Sequence, residues 1–283
     1  MQSSQHHPAP LRIGQLLLEP GRRTYVMGIL NVTPDSFAGD SVTDVEAAVA
    51  RGRAMLAEGA DLIDVGGEST RPGAGPVPLE EELRRVLPVV ERLAGGLGAP
   101  VSVDTRKAEV ARRALQAGAA MVNDVSALRA DPAMAAVLAE ARAPVVLMHW
   151  EPPAADGAPA RDIVAEVVAF LRERIAAAVA AGIARDRIVV DPGFGFAKTI
   201  AENLQLLRRL GALRVLGCPI LVGTSRKGTI GKVLGGLPVE DRLEGTAATV
   251  ALAIAQGADV VRVHDVRTMV RVARMADAIV REA

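Results

Sequence analysis

Acidic, amide and basic side chains recur in this sequence at the ends of short apolar segments, where they could act together on a bound molecule. One group suits a diphosphate and an accompanying Mg²⁺, and consists of Asn31, Thr70, Arg71, Arg262 and His264. A second group suits the donor and acceptor edge of a flat amino-pyrimidinone ring, and consists of Asp104, Asn123, Asp191 and Lys227. Met148 and Phe196 could contact the faces of such a ring. A diphosphate beside a heterocycle indicates substitution at a carbon attached to that ring.

A plainer explanation is that each polar residue caps the helix that follows it, since Asp, Asn and Ser are favourable N-caps. Capping does not explain the whole set. Asp64, Asp104, Asn123 and Asp191 lie within or at the ends of apolar segments, where a buried carboxylate needs a partner. Arg262 also lies in an apolar segment, and it needs either a bound anion or one of these carboxylates.

The elements that position these residues form a repeated alternation. Short β-branched or apolar segments alternate with longer segments of helical spacing that are rich in Ala, Arg, Glu and Leu. The predicted strands are 25–32, 61–67, 101–105, 121–125, 144–149, 187–191, 220–224 and 260–264, and the clearest helices are 45–57, 80–93, 108–117, 163–181 and 245–256. Gly59, Gly118 and Gly257 are predicted to end helices, because glycine readily adopts the left-handed conformation at a helix C-terminus.

This alternation predicts an α/β protein with a single-domain (β/α)8 TIM barrel over residues 21–283, preceded by an N-terminal extension over residues 1–20. The alternative is a doubly wound sheet, but no Gly-x-Gly-x-x-Gly fingerprint follows the first strand. Active sites of (β/α)8 barrels lie at the carboxyl ends of the strands. The predicted barrel would therefore gather the polar residues at one rim.

Composition limits the partners and the compartment. Lys+Arg and Asp+Glu both number 33, so no net positive charge would attract nucleic acid or an acidic membrane surface. No apolar run reaches the roughly 18 residues that a membrane span needs. The single cysteine, Cys218, lies in an apolar stretch and is predicted to be a buried thiol. These features predict a cytoplasmic protein.

Seven motifs, taken in order, resemble those of the dihydropteroate synthase family. They are GILNVTPDSF at 28–37, DVGGESTRPG at 64–73, SVDT at 102–105, VNDVS at 122–126, DPGFGFAK at 191–198, GTSRK at 223–227 and RVHD at 262–265. The resemblance implies an enzyme that joins (7,8-dihydropterin-6-yl)methyl diphosphate to 4-aminobenzoate, giving 7,8-dihydropteroate and diphosphate. It also implies Mg²⁺ as the cofactor and a homodimer as the assembly.

The resemblance implies a role for residues in each motif. Asn31 would coordinate Mg²⁺. The residues that contact the diphosphate would be Thr70, Arg71, Arg262 and His264. Those that hold the pterin would be Asp104, Asn123, Met148, Asp191 and Lys227. Those that surround 4-aminobenzoate would be Phe37, Pro72, Phe196 and Lys227. The residues expected to be catalytic are Asp104, Lys227, Arg262 and Asp35, the last on the loop after the first strand.

Two positions depart from the family pattern. Gly228 stands where many members carry a serine that could bind the carboxylate of 4-aminobenzoate, and Trp150-Glu151 replace a common Met-Gly pair. The preceding His149 is interpreted as a structural residue or a support for the site.

Two other functions are weighed against the synthase. A pterin-binding barrel of a corrinoid-dependent methyltransferase would not need the motifs at 31–37 and 224–227. A non-catalytic paralogue that binds only a pterin or a partner protein would be expected to lose Asp104, Lys227 or Arg262, and all three are present.

Overall fold

The strands form two sheets in the computed structural model, which describes residues 7–32, 41–68, 75–151 and 161–281. A short antiparallel hairpin consists of β1 (Leu11–Ile13) and β2 (Leu16–Leu18). The main sheet has eight strands, which are β3 (Tyr25–Asn31), β4 (Leu62–Gly66), β5 (Val101–Asp104), β6 (Met121–Asp124), β7 (Val145–Met148), β8 (Ile188–Asp191), β9 (Leu221–Val222) and β10 (Val260–Val263). Each predicted barrel strand is therefore present.

The main sheet closes into a barrel. Its strands are all parallel and are hydrogen-bonded in the order β8-β7-β6-β5-β4-β3-β10-β9. A parallel bridge between Val190 and Ile220 joins β8 to the residue before β9, and the Val190 N–H donates to the carbonyl of Pro219 at 2.9 Å. The predicted (β/α)8 barrel is confirmed. The doubly wound alternative is wrong, because an open sheet would leave its two outer strands unjoined.

Helices follow the barrel strands and cover their outer side. They are α1 (Ser41–Ala57), α2 (Leu79–Val90), α3 (Ala108–Gln116), α4 (Met134–Ala141), α5 (Ile163–Ala180), α6 (Ile200–Arg208), α7 (Gly228–Val233), α8 (Leu243–Ala255) and α9 (Val266–Val280). The five helices predicted from the sequence correspond to α1, α2, α3, α5 and α8. Gly59, Gly118 and Gly257 have φ angles of +104°, +107° and +95°, so their predicted role after helices is confirmed.

Side chains along each barrel strand alternate between the interior and the helix layer, because successive residues of a strand point to opposite faces. On β5, for example, Val101 and Val103 pack in the core beneath the helices. Ser102 and Asp104 therefore point into the barrel. The N-terminal half of the interior is filled by a second apolar cluster, whose strand residues are Tyr25, Met27, Leu62, Met121, Val146, Val189, Leu221 and Val260.

The hairpin covers the N-terminal end of the barrel. Leu11, Ile13 and Leu18 are buried in the same cluster as the apolar residues of the lower interior. The Tyr25 hydroxyl accepts a hydrogen bond from the Glu19 N–H at 2.9 Å and donates one to the carbonyl of Leu17 at 3.2 Å. With this end covered by apolar side chains, the polar interior lies at the opposite, C-terminal rim.

Two further expectations concern Cys218 and membrane spans. Cys218 is buried and not part of a disulfide, as predicted, and burial raises the pKa of its thiol. Within the described ranges, none of the helices combines the length and the apolar character needed to cross a bilayer.

Candidate active site

The predicted polar residues that lie on the described strands converge on the inner face of the barrel at its C-terminal rim. On most of these strands a two-residue spacing relates the polar residue to an apolar residue deeper inside, as Met121 precedes Asn123 on β6 and Val260 precedes Arg262 on β10. The strand residues of this upper inner layer are Asn31, Asp64, Asp104, Asn123, Met148, Asp191 and Arg262. The alternation that builds the core therefore also directs these side chains into one space.

Strand register sets several of these residues side by side. The Cα pairing joins Asn31 to Gly66, Gly66 to Asp104 and Asp104 to Asn123 across four neighbouring strands. Met148 and Asp191 are paired in the same way on β7 and β8. The residue predicted for the metal and those predicted for the pterin on the strands therefore lie in register with neighbours on adjacent strands.

Arg262 is the cation of this layer, and its side chain is 18% exposed. Its Nε donates to Asp64 Oδ2 at 2.6 Å, and its Nη2 donates to Asp104 Oδ2 at 2.8 Å. Burial opposes the charge of Arg262, but the attraction of Asp64 and Asp104 outweighs burial and raises the pKa of the guanidinium. The sequence predicted that Arg262 needs either a bound anion or a carboxylate as its partner. The structure provides two carboxylates.

The two carboxyls predicted to hold the pterin bind protons more strongly than exposed carboxyls do. Burial raises the pKa of Asp104 to about 7, against the opposing attraction of Arg262. Burial also raises the pKa of Asp191 to about 6, although the Gly193 N–H donates to its Oδ1 at 2.7 Å and Lys227 attracts it. Near neutral pH, Asp104 is therefore present in both its protonated and its ionised form, whereas Asp191 is mostly ionised.

Asp64 supports two of the predicted site residues. It accepts hydrogen bonds from Arg262 and from Asn123 Nδ2, the latter at 2.9 Å, and so orients both the guanidinium and the amide. Its second oxygen, Oδ1, is buried and has no hydrogen-bond partner among the described residues. The sequence marks Asp64 only as a carboxylate that needs a partner. Its spacing of two residues from Leu62, on the inner face of β4, is the signal that would have assigned it to the site.

Lys227 and Phe196 meet at the rim. Lys227 Nζ lies 3.8 Å from the centroid of the Phe196 ring, which is a cation–π contact. Gly195 has a φ of +81°, and a Cβ at this position would lie 2.8 Å from Lys227 Cδ. Glycine therefore allows the two loops to approach, and two of the residues predicted to surround 4-aminobenzoate lie together.

Lys198 holds the loop after β8 in place. Its Nζ donates to the carbonyls of Gly193 at 2.9 Å, Phe196 at 3.1 Å and His149 at 3.3 Å. Burial lowers the pKa of Lys198 to about 8, although the nearby Asp191 favours its charge. The sequence motif contains Lys198 but gives no indication of this contact, because the three carbonyl groups belong to two different loops.

The loops after β9 and β10 are joined by two consecutive cross-links. Ser225 Oγ lies 3.0 Å from His264 Nδ1 and accepts a hydrogen bond from the His264 N–H at 3.1 Å. The next residue, Arg226, forms a two-bond pair with Asp265, in which Nε donates to Oδ2 at 2.9 Å. His264 is the first residue after β10 and follows Arg262 by two positions, at the C-terminal rim where the diphosphate is predicted.

Asn31 has an oxygen beside an open position between two strands. A Cβ on Gly66 would lie 3.7 Å from Asn31 Oδ1 and 3.8 Å from Asp104 Oδ2, so the missing side chain leaves room between the two oxygens. In the part of the chain that the structure describes, no group of three or more His, Cys, Asp or Glu is arranged to hold a metal ion. The residues at this position fit a cation that takes few protein oxygens and completes its shell with phosphate and water, as Mg²⁺ does.

His149 points away from the rim space and into the helix layer. Its ring meets Phe170 of α5 edge to face, with centroids 4.8 Å apart and an interplanar angle of 76°. Burial lowers the pKa of His149 to about 3, so the ring is neutral. The segment after it is held by Arg129, which donates to the carbonyl of Trp150 and pairs with Glu151.

Five predicted residues remain. They lie outside the described residues, and are Asp35, Phe37, Thr70, Arg71 and Pro72.

Comparison with known proteins defines the class to which this barrel and its rim belong. Residues 27–264 match the model of a family described as pterin binding enzyme. This range begins in the first barrel strand and ends at His264, so it includes every predicted site residue.

Individual relatives narrow the class. A dihydropteroate synthase from Synechocystis sp. is 46% identical, over 98% of this chain and 98% of the relative. The structure of a dihydropteroate synthase from Clostridium difficile, determined in the presence of pteroic acid, has a TM-score of 0.89 at 48% identity and covers 93% of this chain and 99% of its own. That of the Xanthomonas albilineans synthase with 4-aminobenzoic acid has a TM-score of 0.88 at 50% identity, over 96% and 98% of the two chains. The chain belongs to the dihydropteroate synthase family.

Proposed function

We propose that this enzyme condenses (7,8-dihydropterin-6-yl)methyl diphosphate with 4-aminobenzoate, giving 7,8-dihydropteroate and diphosphate. The bond between the methylene carbon and the diphosphate oxygen breaks, a carbon–nitrogen bond forms, and the amine loses one proton. The observation that carries the proposal is the position of Arg262 between Asp64 and Asp104, at 2.6 and 2.8 Å, in a layer that also contains Asn123 and Asp191. An anion-binding cation and a set of ring-binding acceptors are thereby adjacent.

The pterin occupies the space bordered by Asp104, Asn123, Asp191 and Lys227. The Asn123 amide group uses its Nδ2 on Asp64, which turns its Oδ1 to the opposite side as a hydrogen-bond acceptor. Carboxylate and amide oxygens complement the N–H groups of an amino-pyrimidinone edge. Met148, buried on the inner face of β7, provides an apolar contact for the ring.

The diphosphate lies beside the pterin, at Arg262 and His264. A guanidinium suits phosphate oxygens because its N–H groups can donate in pairs. Thr70 and Arg71 would contribute from the loop after β4, a role that rests on the resemblance to the family. Only the Arg262 guanidinium separates this anion site from the ring site. The carbon–oxygen bond that breaks therefore lies between the two sites.

Electrostatics account for the reaction without a general base. As the carbon–oxygen bond breaks, positive charge develops on the pterin methylene and negative charge on the diphosphate. The ionised form of Asp104 stabilises the first, and Arg262 stabilises the second. Charged groups that are already fixed in a buried site are usually the largest contribution to catalysis. Asp35, on the loop after β3, would complete this catalytic set, again by resemblance.

Mg²⁺ fits the open position beside Asn31 Oδ1. A single amide oxygen with phosphate oxygens and water is a donor set that this hard cation accepts. When bound, it would neutralise charge on the diphosphate. Asn31 would hold it on the side of the barrel where Gly66 leaves room.

The site for 4-aminobenzoate lies at the outer edge of the rim, beside Phe196 and Lys227. The ammonium of Lys227, placed over the Phe196 ring, is suited to the substrate carboxylate. Phe37 and Pro72 would add apolar contacts from the neighbouring loops, a role taken from the resemblance. Gly228 supplies no side chain for the carboxylate at the position after Lys227.

A homodimer is supported by apolar side chains exposed on two adjacent helices. Leu252 of α8 is 58% exposed, and Met275 and Ile279 of α9 are 64% and 70% exposed. Leu252 lies in the apolar C-terminal half of α8. Exposed apolar residues on neighbouring helices favour a protein–protein contact. Sedimentation equilibrium with a Leu252→Glu variant tests this: the wild type should be dimeric and the variant should shift towards monomer.

Diphosphate release tests the proposed reaction directly. The purified protein should release diphosphate only when the pterin substrate, 4-aminobenzoate and Mg²⁺ are all present, with dihydropteroate formed in equal amount. Omitting 4-aminobenzoate is the control for simple hydrolysis. Tight pterin binding without release would instead support the methyltransferase-type barrel or the non-catalytic paralogue.

A further inference from the structure

Ser225, on the loop after β9, contacts His264 through two separate atoms. Its Oγ accepts the backbone N–H of His264 at 3.1 Å and lies 3.0 Å from Nδ1 of the same residue. Ser225 is 4% exposed, so its hydroxyl is largely removed from solvent. Ser225 therefore holds His264 by two contacts, from the loop after a different strand of the barrel.

The chemistry of these two contacts fixes the position of a proton. A backbone N–H can only donate, so Ser225 Oγ must act as its acceptor. The hydroxyl has a single hydrogen, and the Nδ1 atom is the acceptor available to it in the described residues. A neutral ring with its proton on Nδ1 would instead leave the buried hydroxyl hydrogen without a partner, which is unfavourable. The neutral His264 ring therefore accepts at Nδ1 and carries its proton on Nε2.

The neighbouring cross-link keeps this geometry rigid. Arg226 pairs with Asp265, and its backbone N–H donates to Thr246 Oγ1 of α8 at 3.1 Å. Arg226 also has a φ of +56°, a left-handed conformation that the surrounding contacts hold. Two consecutive residues of one loop thus bind two consecutive residues of the next, and the direction of the His264 ring is set by both.

We propose that Ser225 is a positioning residue that holds His264 as its Nε2–H tautomer and so presents a hydrogen-bond donor to the diphosphate. The proposal rests on the assignment of His264 to the diphosphate site made above. Ser225 acts through His264, because its hydroxyl hydrogen and the lone pair that accepts the His264 N–H are both directed to that residue. Without these two contacts, the neutral imidazole would have its proton on Nδ1 for part of the time. Nε2 would then be an acceptor and would repel phosphate oxygens.

Nitrogen NMR of the substrate-free wild-type enzyme provides the first test. With ¹⁵N-labelled histidine, at a pH where the ring is neutral, His264 should show a pyridine-type Nδ1 and a pyrrole-type Nε2. Assignment uses the spectrum of a His264→Gln variant. A wild-type spectrum with the proton on Nδ1 would overturn the proposal, whatever the enzyme's activity.

Binding of inorganic diphosphate in the presence of Mg²⁺ provides the second test. Calorimetry with Ser225→Ala should show affinity reduced about five- to tenfold, as expected when the hydrogen bond from His264 to the charged diphosphate is weakened but not lost. In kinetics the KM for the pterin diphosphate should rise, while the KM for 4-aminobenzoate should stay the same. Ser225→Thr, which retains the hydroxyl, should recover most of the affinity.

Ser126→Ala is the matched control. Ser126 is also a buried serine in a rim loop, and it hydrogen-bonds Asp124 at 2.6 Å, but it has no contact with His264. Its replacement should lower stability without changing diphosphate affinity or the His264 spectrum. Unchanged diphosphate affinity in Ser225→Ala would overturn the positioning role and leave the synthase reaction standing. Absence of turnover in a wild type that shows the expected tautomer and affinity would instead reject the synthase reaction alone.

Discussion

Arg262 donates a hydrogen bond to Asp104 across the rim, with 2.8 Å between Nη2 and Oδ2. These residues lie on strands β10 and β5, which are separated in the barrel by β3 and β4. Asp64 on the intervening β4 accepts from the Nε of the same guanidinium at 2.6 Å. The cation proposed for the leaving diphosphate is therefore held by the same carboxyl that is proposed to stabilise the pterin.

Arg262→Ala should weaken binding of the diphosphate-bearing pterin by about 2–5 kcal/mol, since it removes one partner of a buried charge pair. It should also lower the melting temperature, because Asp64 and Asp104 would remain buried without their cation. Calorimetry on the folded variant measures the binding loss separately from the loss of stability. Arg262→Lys retains the charge without the paired donors, so its binding affinity should fall between those of the wild type and the alanine variant. Unchanged binding in the alanine variant would contradict the assignment.

Asp104 should make the stability of the enzyme depend on pH near neutrality. Its pKa is raised to about 7 in the folded protein, against about 3.9 in an unfolded chain. Between these values the folded state binds more protons, so the contribution of Asp104 to stability is full below about pH 4 and is lost as the pH rises through about 7.

Urea unfolding between about pH 5 and about pH 8 measures this effect. The difference in unfolding free energy between the wild type and Asp104→Asn should decrease as the pH rises, because the asparagine does not titrate. Asp186→Asn, at an exposed position, is the control and should give a difference that stays level. A level difference for Asp104→Asn as well would show that Asp104 is already ionised at the lower pH.

The fold and most of the rim residues were predictable because two simple periodicities coincide in this sequence. The alternation of strands and helices gave the barrel, and the position of polar residues at strand ends gave the rim. Asn31, Asp104, Asn123, Asp191 and Arg262 are brought together as expected. The roles of these residues in binding and catalysis stay predictions.

The features that were missed depend on contacts between distant parts of the chain. Asp64 and Arg262 are separated by 198 positions, so no local pattern pairs them. The hairpin at Leu11–Leu18 was not predicted because strands of three residues are too short to show periodicity. Lys198 acts on backbone carbonyls, which are the same for every residue type and leave no trace in the sequence.

Lys198→Met should disturb the loop that follows Asp191 and carries Phe196. The methionine is similar in length but cannot donate to the three carbonyl oxygens, which lie 2.9 to 3.3 Å from Nζ. The KM values for both substrates should rise several-fold, since the loop borders both sites, while the protein remains folded. Lys198→Arg should recover part of the loss. Lys232→Met, at an exposed lysine, should have no effect, and equal KM values for the Lys198 and Lys232 variants would reject the role.

Removal of Mg²⁺ should depress turnover, and Asn31 should determine how much metal is needed. Chelation should abolish most diphosphate release, and excess Mg²⁺ should restore it. In Asn31→Ala the Mg²⁺ concentration required for half-maximal binding of inorganic diphosphate should rise, because one protein oxygen is lost. A chelator-insensitive wild type would exclude the proposed cofactor. An unchanged Mg²⁺ requirement in the variant would exclude Asn31 as its ligand.

Gly228→Ser should improve the binding of 4-aminobenzoate. A Cβ at Gly228 would have no heavy atom within 4 Å, so the larger side chain can be added without a clash. The new hydroxyl follows Lys227 and would donate a hydrogen bond to the substrate carboxylate, which is worth about 1 kcal/mol and corresponds to a roughly fivefold lower KM. Gly228→Ala is the control, because it changes the backbone flexibility at the start of α7 in the same way but adds no donor. If serine and alanine lower the KM equally, the effect comes from the helix start, and the carboxylate does not lie beside residue 228.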